Sequence, residues 1–108
     1  MKKPASDAAA VRQIIRLLRN HGATITQIIT EEDTIDVPAR ADEATIMNYL
    51  METGAEIVTA TKGADTVSIT LVYGNSPEEI VYGVGPDGSV LAVLVEELVE
   101  SWELPWGE

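Results

Sequence analysis

The chain has 108 residues and no cysteine. That absence excludes disulfides, thiolate metal ligands and a cysteine nucleophile, and it fits a reducing, cytoplasmic setting. Long apolar runs are also missing. The longest, Val90-Leu-Ala-Val-Leu-Val95, falls far short of the ~20 residues that span a bilayer, so no membrane segment is expected. Basic residues are scarce: seven Lys and Arg stand against eighteen Asp and Glu, for a formal net charge of −11. A body of that sign repels phosphates and disfavours nucleic-acid binding over most of its surface. The one histidine, His21, sits at a predicted helix end with no Ser, Cys or second His to work with, and reads as a capping residue. The acids offer many pairings, but spacing sets none apart for acid–base catalysis. The sequence therefore points away from an enzyme, and no cofactor or metal is expected.

The charge that is present is divided unevenly. Residues 1–22 carry Lys2, Lys3, Arg12, Arg16 and Arg19 against Asp7 alone, a net of +4, whereas the rest carries only Arg40 and Lys62 against seventeen acids, a net of −15. Lys2 and Lys3 imitate the basic start of a signal peptide, but Asp7, Arg12 and Arg16 interrupt the apolar stretch that must follow. The same acid-poor, Arg-bearing segment has some of the character of a transit peptide. A capped helix belonging to the fold accounts for it better.

One domain is expected over residues 1–103, with a short tail over 104–108. Ser6 is a good N-cap, Val11, Ile14, Ile15 and Leu18 form an apolar stripe, and Gly22 supplies a left-handed stop. Arg12, Arg16 and Arg19 form a basic stripe beside the apolar one. Residues 24–30 and 34–37 read as a β-branched hairpin around the polar turn Glu31-Glu32-Asp33. A helix over 42–53, closed by Gly54, follows. A second hairpin then pairs 55–61 with 66–73, where Val67, Ile69, Leu71 and Tyr73 alternate with polar neighbours. Ser76-Pro-Glu-Glu79 has the form of a helix start, yet residues 80–85 hold two glycines among β-formers and are assigned to a strand after one helical turn. Leu91, Leu94, Val95, Leu98 and Trp102 make a helical stripe over 89–103. The competing assignment pairs 89–95 as a strand with 80–85.

The order α-β-β-α-β-β-β-α is that of an α+β domain with a mostly antiparallel sheet and helices on one face. The alternative is a winged helix-turn-helix-like fold, which needs residues 24–30 to be helical against their β-propensity. Its recognition helix would hold Asp42, Glu43 and Glu52 without Lys or Arg, a poor reader of bases.

Three surfaces are candidates for contact. The acids Glu96, Glu97, Glu100 and Glu103, with Glu31, Glu32 and Asp33 elsewhere, could meet a basic partner. Trp106 and Trp102, in Ser101-Trp-Glu-Leu-Pro-Trp-Gly-Glu108, resemble the aromatic anchors of docking peptides, although Trp102 also completes the helix stripe and there reads more as core. Arg12, Arg16, Arg19, Lys2 and Lys3 could grip phosphates or an acidic partner, or pair internally with the acidic body. Glu31, Glu32, Asp33 and Asp36 lack the spacing of a calcium loop. Gly83-Val-Gly85-Pro-Asp-Gly88 matches a phosphate-binding glycine pattern, but Asp87 and the short remainder of the chain favour a tight turn.

The expectation is a small, acidic, non-enzymatic protein-binding module. It would engage another protein with a basic surface, as inhibitors of the immunity or DNA-mimic type do by charge presentation. The alternative is a nucleic-acid-associated regulator working through the basic N-terminal helix. A homodimer is compatible with either.

Overall fold

The computed structural model describes residues 3–103. Lys2, the side chain of Glu103, Trp106 and the expected tail over 104–108 lie outside the described residues. The elements are α1 (Asp7–Asn20), β1 (Thr24–Thr30), β2 (Thr34–Asp36), α2 (Glu43–Asn48), β3 (Ala55–Lys62), β4 (Asp65–Val72), a 3-10 turn (Pro77–Glu79), β5 (Val81–Gly85) and α3 (Val90–Glu103). The strands form one antiparallel sheet in the order β2-β1-β3-β4-β5, and the helices pack on it. This is the expected α+β order. The winged-helix alternative fails at Thr24–Thr30, which pairs on both sides as β1. Residues 76–85 resolve as one 3-10 turn followed by the edge strand β5, and 90–103 is helix throughout.

Local signals behave as chemistry requires. The Ser6 hydroxyl accepts the Ala9 N–H at 3.1 Å and caps α1, and Gly22 adopts φ +84 just past its end, where an L side chain would be strained. Gly63, at φ +61, opens the two-residue loop between β3 and β4, the position where tight hairpins accept glycine. Alternation then divides the sheet. Glu56, Val58 and Ala60 of β3 lie opposite Leu71, Ile69 and Val67 of β4, all buried. Onto this face α1 brings Val11, Ile14, Ile15 and Leu18, and α3 brings Leu91, Val95, Leu98 and Trp102.

Trp102 is 0% exposed. Its indole N–H donates to Gln13 Oε1 at 3.0 Å, joining α3 to α1. A docking role for Trp102 is thus corrected: a fully buried indole completes the core and offers no surface to a partner.

The expected helix over 42–53 is also corrected. It ends at Asn48, and the left-handed residue nearby is Met51, φ +65, not Gly54. The cause is a buried acid. Glu56, 2% exposed, accepts the Met51 and Glu52 N–H groups at 2.8 and 3.0 Å and the Tyr73 hydroxyl at 2.6 Å. A carboxylate that takes two successive backbone donors turns the chain out of the helix and holds Met51 in a conformation that costs on the order of 1–3 kcal/mol. Burial first, and then the bond to Glu56, push the Tyr73 phenol well above its ordinary range, so it stays a donor.

This clamp yields a stability prediction. Glu56→Gln sets an amide N–H₂ against backbone donors and should cost about 1–3 kcal/mol in urea unfolding, and Tyr73→Phe about 1 kcal/mol. The double variant should lose less than the sum, because the two groups share one bond. Strict additivity would refute the coupling.

Candidate functional site

Helix α3 is fixed at its start from two directions. Asp65, at the head of β4, accepts the Leu91 N–H at 2.9 Å, and Ser89 Oγ accepts the Ala92 N–H at 3.1 Å. The Leu91 N–H, with the Ser89 hydroxyl and Val90 N–H adding to it, holds the Asp65 carboxyl below its usual range. The glycine pattern is accounted for by the same contacts. Gly83 and Gly85 lie in β5, Gly88 makes the turn at φ +90, and the helix N-terminus that a phosphate would need is already capped by an acid.

With its apolar stripe buried, α3 turns Glu96, Glu97 and Glu100 outward, all exposed. The helix carries no Lys or Arg. Both ion pairs among the described residues involve Glu43, so these three carboxylates face solvent without a cationic partner.

Beside them runs β5, the sheet edge. Thr70 pairs with Gly83 and Leu71 with Val81, so Tyr82 is the extra residue of a bulge. It is 81% exposed. Between β5 and α3 lies a groove of about 240 Å³, lined by Val81, Val84 and Val99, by Tyr82 and Gly83, and by Glu96 and Glu100. Glu96 and Glu100 are one helical turn apart and share a face. The site combines an unpaired strand edge, apolar lining, one exposed aromatic and two free carboxylates.

No protein-family model, curated protein or solved structure matches this chain.

The other predicted residues fall elsewhere. Glu31, Glu32 and Asp33 form the β1–β2 turn, on the β2 side of the sheet and away from β5, so the two acidic clusters are not brought together. Glu31 works within the fold, where its carboxylate accepts the Gly54 and Ala55 N–H groups at 2.7 and 3.1 Å. Asp33 Oδ1 accepts the Thr34 N–H, and Glu32 is exposed. No group of three or more His, Asp or Glu among the described residues is arranged to hold a metal ion, and none of their helices is long and apolar enough to cross a membrane. His21 is the C-cap residue of α1.

The basic stripe pairs with α2. Arg16 forks onto Glu43, Nε to Oε1 at 2.6 Å and Nη2 to Oε2 at 3.1 Å, and Arg12 Nε lies 3.4 Å from Oε2. The fork raises the Arg16 pKa and lowers that of Glu43. The Arg16 and Arg12 side chains keep 61% and 44% exposure. Arg19 adds a favourable charge near Asp42, whose carboxyl is lowered mainly by its bond from the Thr45 N–H at the start of α2. Lys3 is exposed.

Sequence reasoning missed Tyr82, Glu56, Asp65 and Glu43. Only Glu56 left a signal, since it shares the parity of Val58 and Ala60, the buried face of β3. Tyr82 depends on a bulge, and Asp65 and Glu43 on partners 26 and 27 residues away.

The Asp65 cap predicts a pH signature. Its folded pKa is depressed, so its stabilisation is present above the unfolded value, near 3.9, and is lost as pH falls through the folded value. Asp65→Asn keeps an acceptor but removes the charge. It should melt a few degrees below wild type at pH 7, with the gap closing as pH falls below the carboxylate range. A gap that stays constant with pH would exclude the charge as its source.

Proposed function

We propose that this chain is a small, non-enzymatic protein-binding module whose groove between β5 and α3 takes a basic, extended segment of another protein. The observation that carries the reading is the meeting of unlike features at one edge: the exposed Tyr82 bulge on an unpaired strand, beside the unpaired carboxylates Glu96 and Glu100. An edge strand offers backbone donors and acceptors to an added strand, and the flanking side chains select its sequence. Carboxylates on the rim favour Lys and Arg there, speed encounter and exclude acidic competitors. Tyr82 supplies the aromatic anchor that interfaces favour. Glu97, on the outer side of α3, extends the negative field. A partner rich in Lys and Arg on one strand or loop is the matching class. An inhibitor of the immunity or DNA-mimic type would work through such a surface, by analogy of charge and size. A nucleic-acid-associated regulator acting through α1 has less support, because Arg12 and Arg16 already engage Glu43.

The test is capture from host lysate with tagged wild type, with Tyr82→Ser, and with Glu96→Lys, Glu97→Lys and Glu100→Lys combined. The expected result is a Lys- and Arg-rich protein released by raised salt, with affinity at least ~10-fold weaker for the charge reversal, about 1.4 kcal/mol, and also weaker for Tyr82→Ser. Circular dichroism should remain native. Capture that survives the reversal would overturn the reading. Nucleic acid retained through Arg12, Arg16 and Arg19 would replace it with the regulator.

A further inference from the structure

We propose that the groove between β5 and α3 selects an extended segment of another protein that carries two Lys or Arg side chains two residues apart. This rests on the reading of the groove given above and adds the pattern that it selects.

The groove has an apolar floor and an acidic rim. Val81 and Val84 lie opposite Leu71 and Ile69 of β4, which are buried, so both turn toward the helix-covered face. The chain reverses over 86–88, where the Ser89 N–H bonds back to the Pro86 carbonyl, and α3 brings Val99 to the same groove. All three valines pack against the core yet are only half-buried. Glu96 and Glu100 flank Val99 on one helix face. Both are exposed, and neither has a cationic partner among the described residues. Apolar surface that ends at a carboxylate matches the long stem and charged head of Lys or Arg.

Spacing sets the pattern. Residues four apart on a helix stand about 6 Å apart along its axis. Side chains two apart on an extended chain share a face and stand about 6.7 Å apart. Neighbours, and residues three apart, point to opposite faces, which turns one cation of such a pair away from α3. Cations four apart stand about 13 Å apart and overreach the two carboxylates. None of the seven Lys and Arg of this chain lies two residues from another. A second copy therefore does not carry the pattern, and the occupant is a different protein.

Capped eight-residue peptides of Thr and Ser with two Lys, either adjacent, two apart or three apart, test this. Each is titrated to ~1 mM into the isotopically labelled full chain at ~0.05 M NaCl, with the backbone amides followed by NMR. The expected shifts fall on residues 81–85 and 96–100, with the two-apart peptide binding ~5-fold more tightly than the others. Replacing its lysines with diaminopropionate keeps the charge but removes the stem, and should cancel that advantage. So should Glu96→Gln combined with Glu100→Gln, at native circular dichroism. Equal affinity for all three spacings, an undiminished advantage with the short stem, or an advantage that survives the double variant overturns the proposal while the groove reading stands. An absence of shifts at 81–85 with every peptide removes both.

Discussion

Five strands and only two full-length helices force the burial of this chain to one side. Ile14, Ile15 and Leu18 of α1, with Leu91, Val95 and Trp102 of α3, cover the face that holds Val58, Ile69 and Leu71. Every other surface follows from that choice. The apolar stripe of α3 turns inward, so its glutamates must turn outward. The second face of the sheet, of parity opposite to Val58 and Ile69, holds Ile29 and Ile57 among Gln27, Thr59, Ser68 and Thr70, with Asp36 on its β2 edge, residues that a strand tolerates half exposed. Trp102 and Gln13 hold the two helices side by side, and Asp65 sets where α3 begins.

Charge is sorted by the same architecture. The excess of basic residues near the N-terminus lies on α1, and α1 lies beside α2, so Glu43 and Asp42 meet the arginines there. Among the described residues, the acids along α3 and those around the β1–β2 turn are left without a cationic partner. The dipole between a basic leading helix and an acidic body, so evident in the linear sequence, is therefore partly closed inside the fold. Its residue is negative and lies at both edges of the sheet, around the β1–β2 turn and, along α3, next to β5. An exposed edge invites pairing with any free strand. Here the bulge at Tyr82 interrupts the ladder, and the carboxylates Glu96 and Glu100 set negative charge beside it.

The elements were legible where local chemistry decides them. Ser6 and Gly22 bound α1, the alternation of Val67, Ile69 and Leu71 placed β4, and the stripe from Leu91 to Trp102 fixed α3 against the strand alternative. The same reasoning overran α2, because residues 49–53 have helical periodicity and the force that ends the helix comes from Glu56 on the next strand. Its parity with Val58 marks Glu56 as inward, but what it binds there depends on Tyr73, seventeen residues away. The acids of α3 were visible as a cluster. Their partner in the site, Tyr82, was not, because one inserted residue in β5 reverses which side chains face outward.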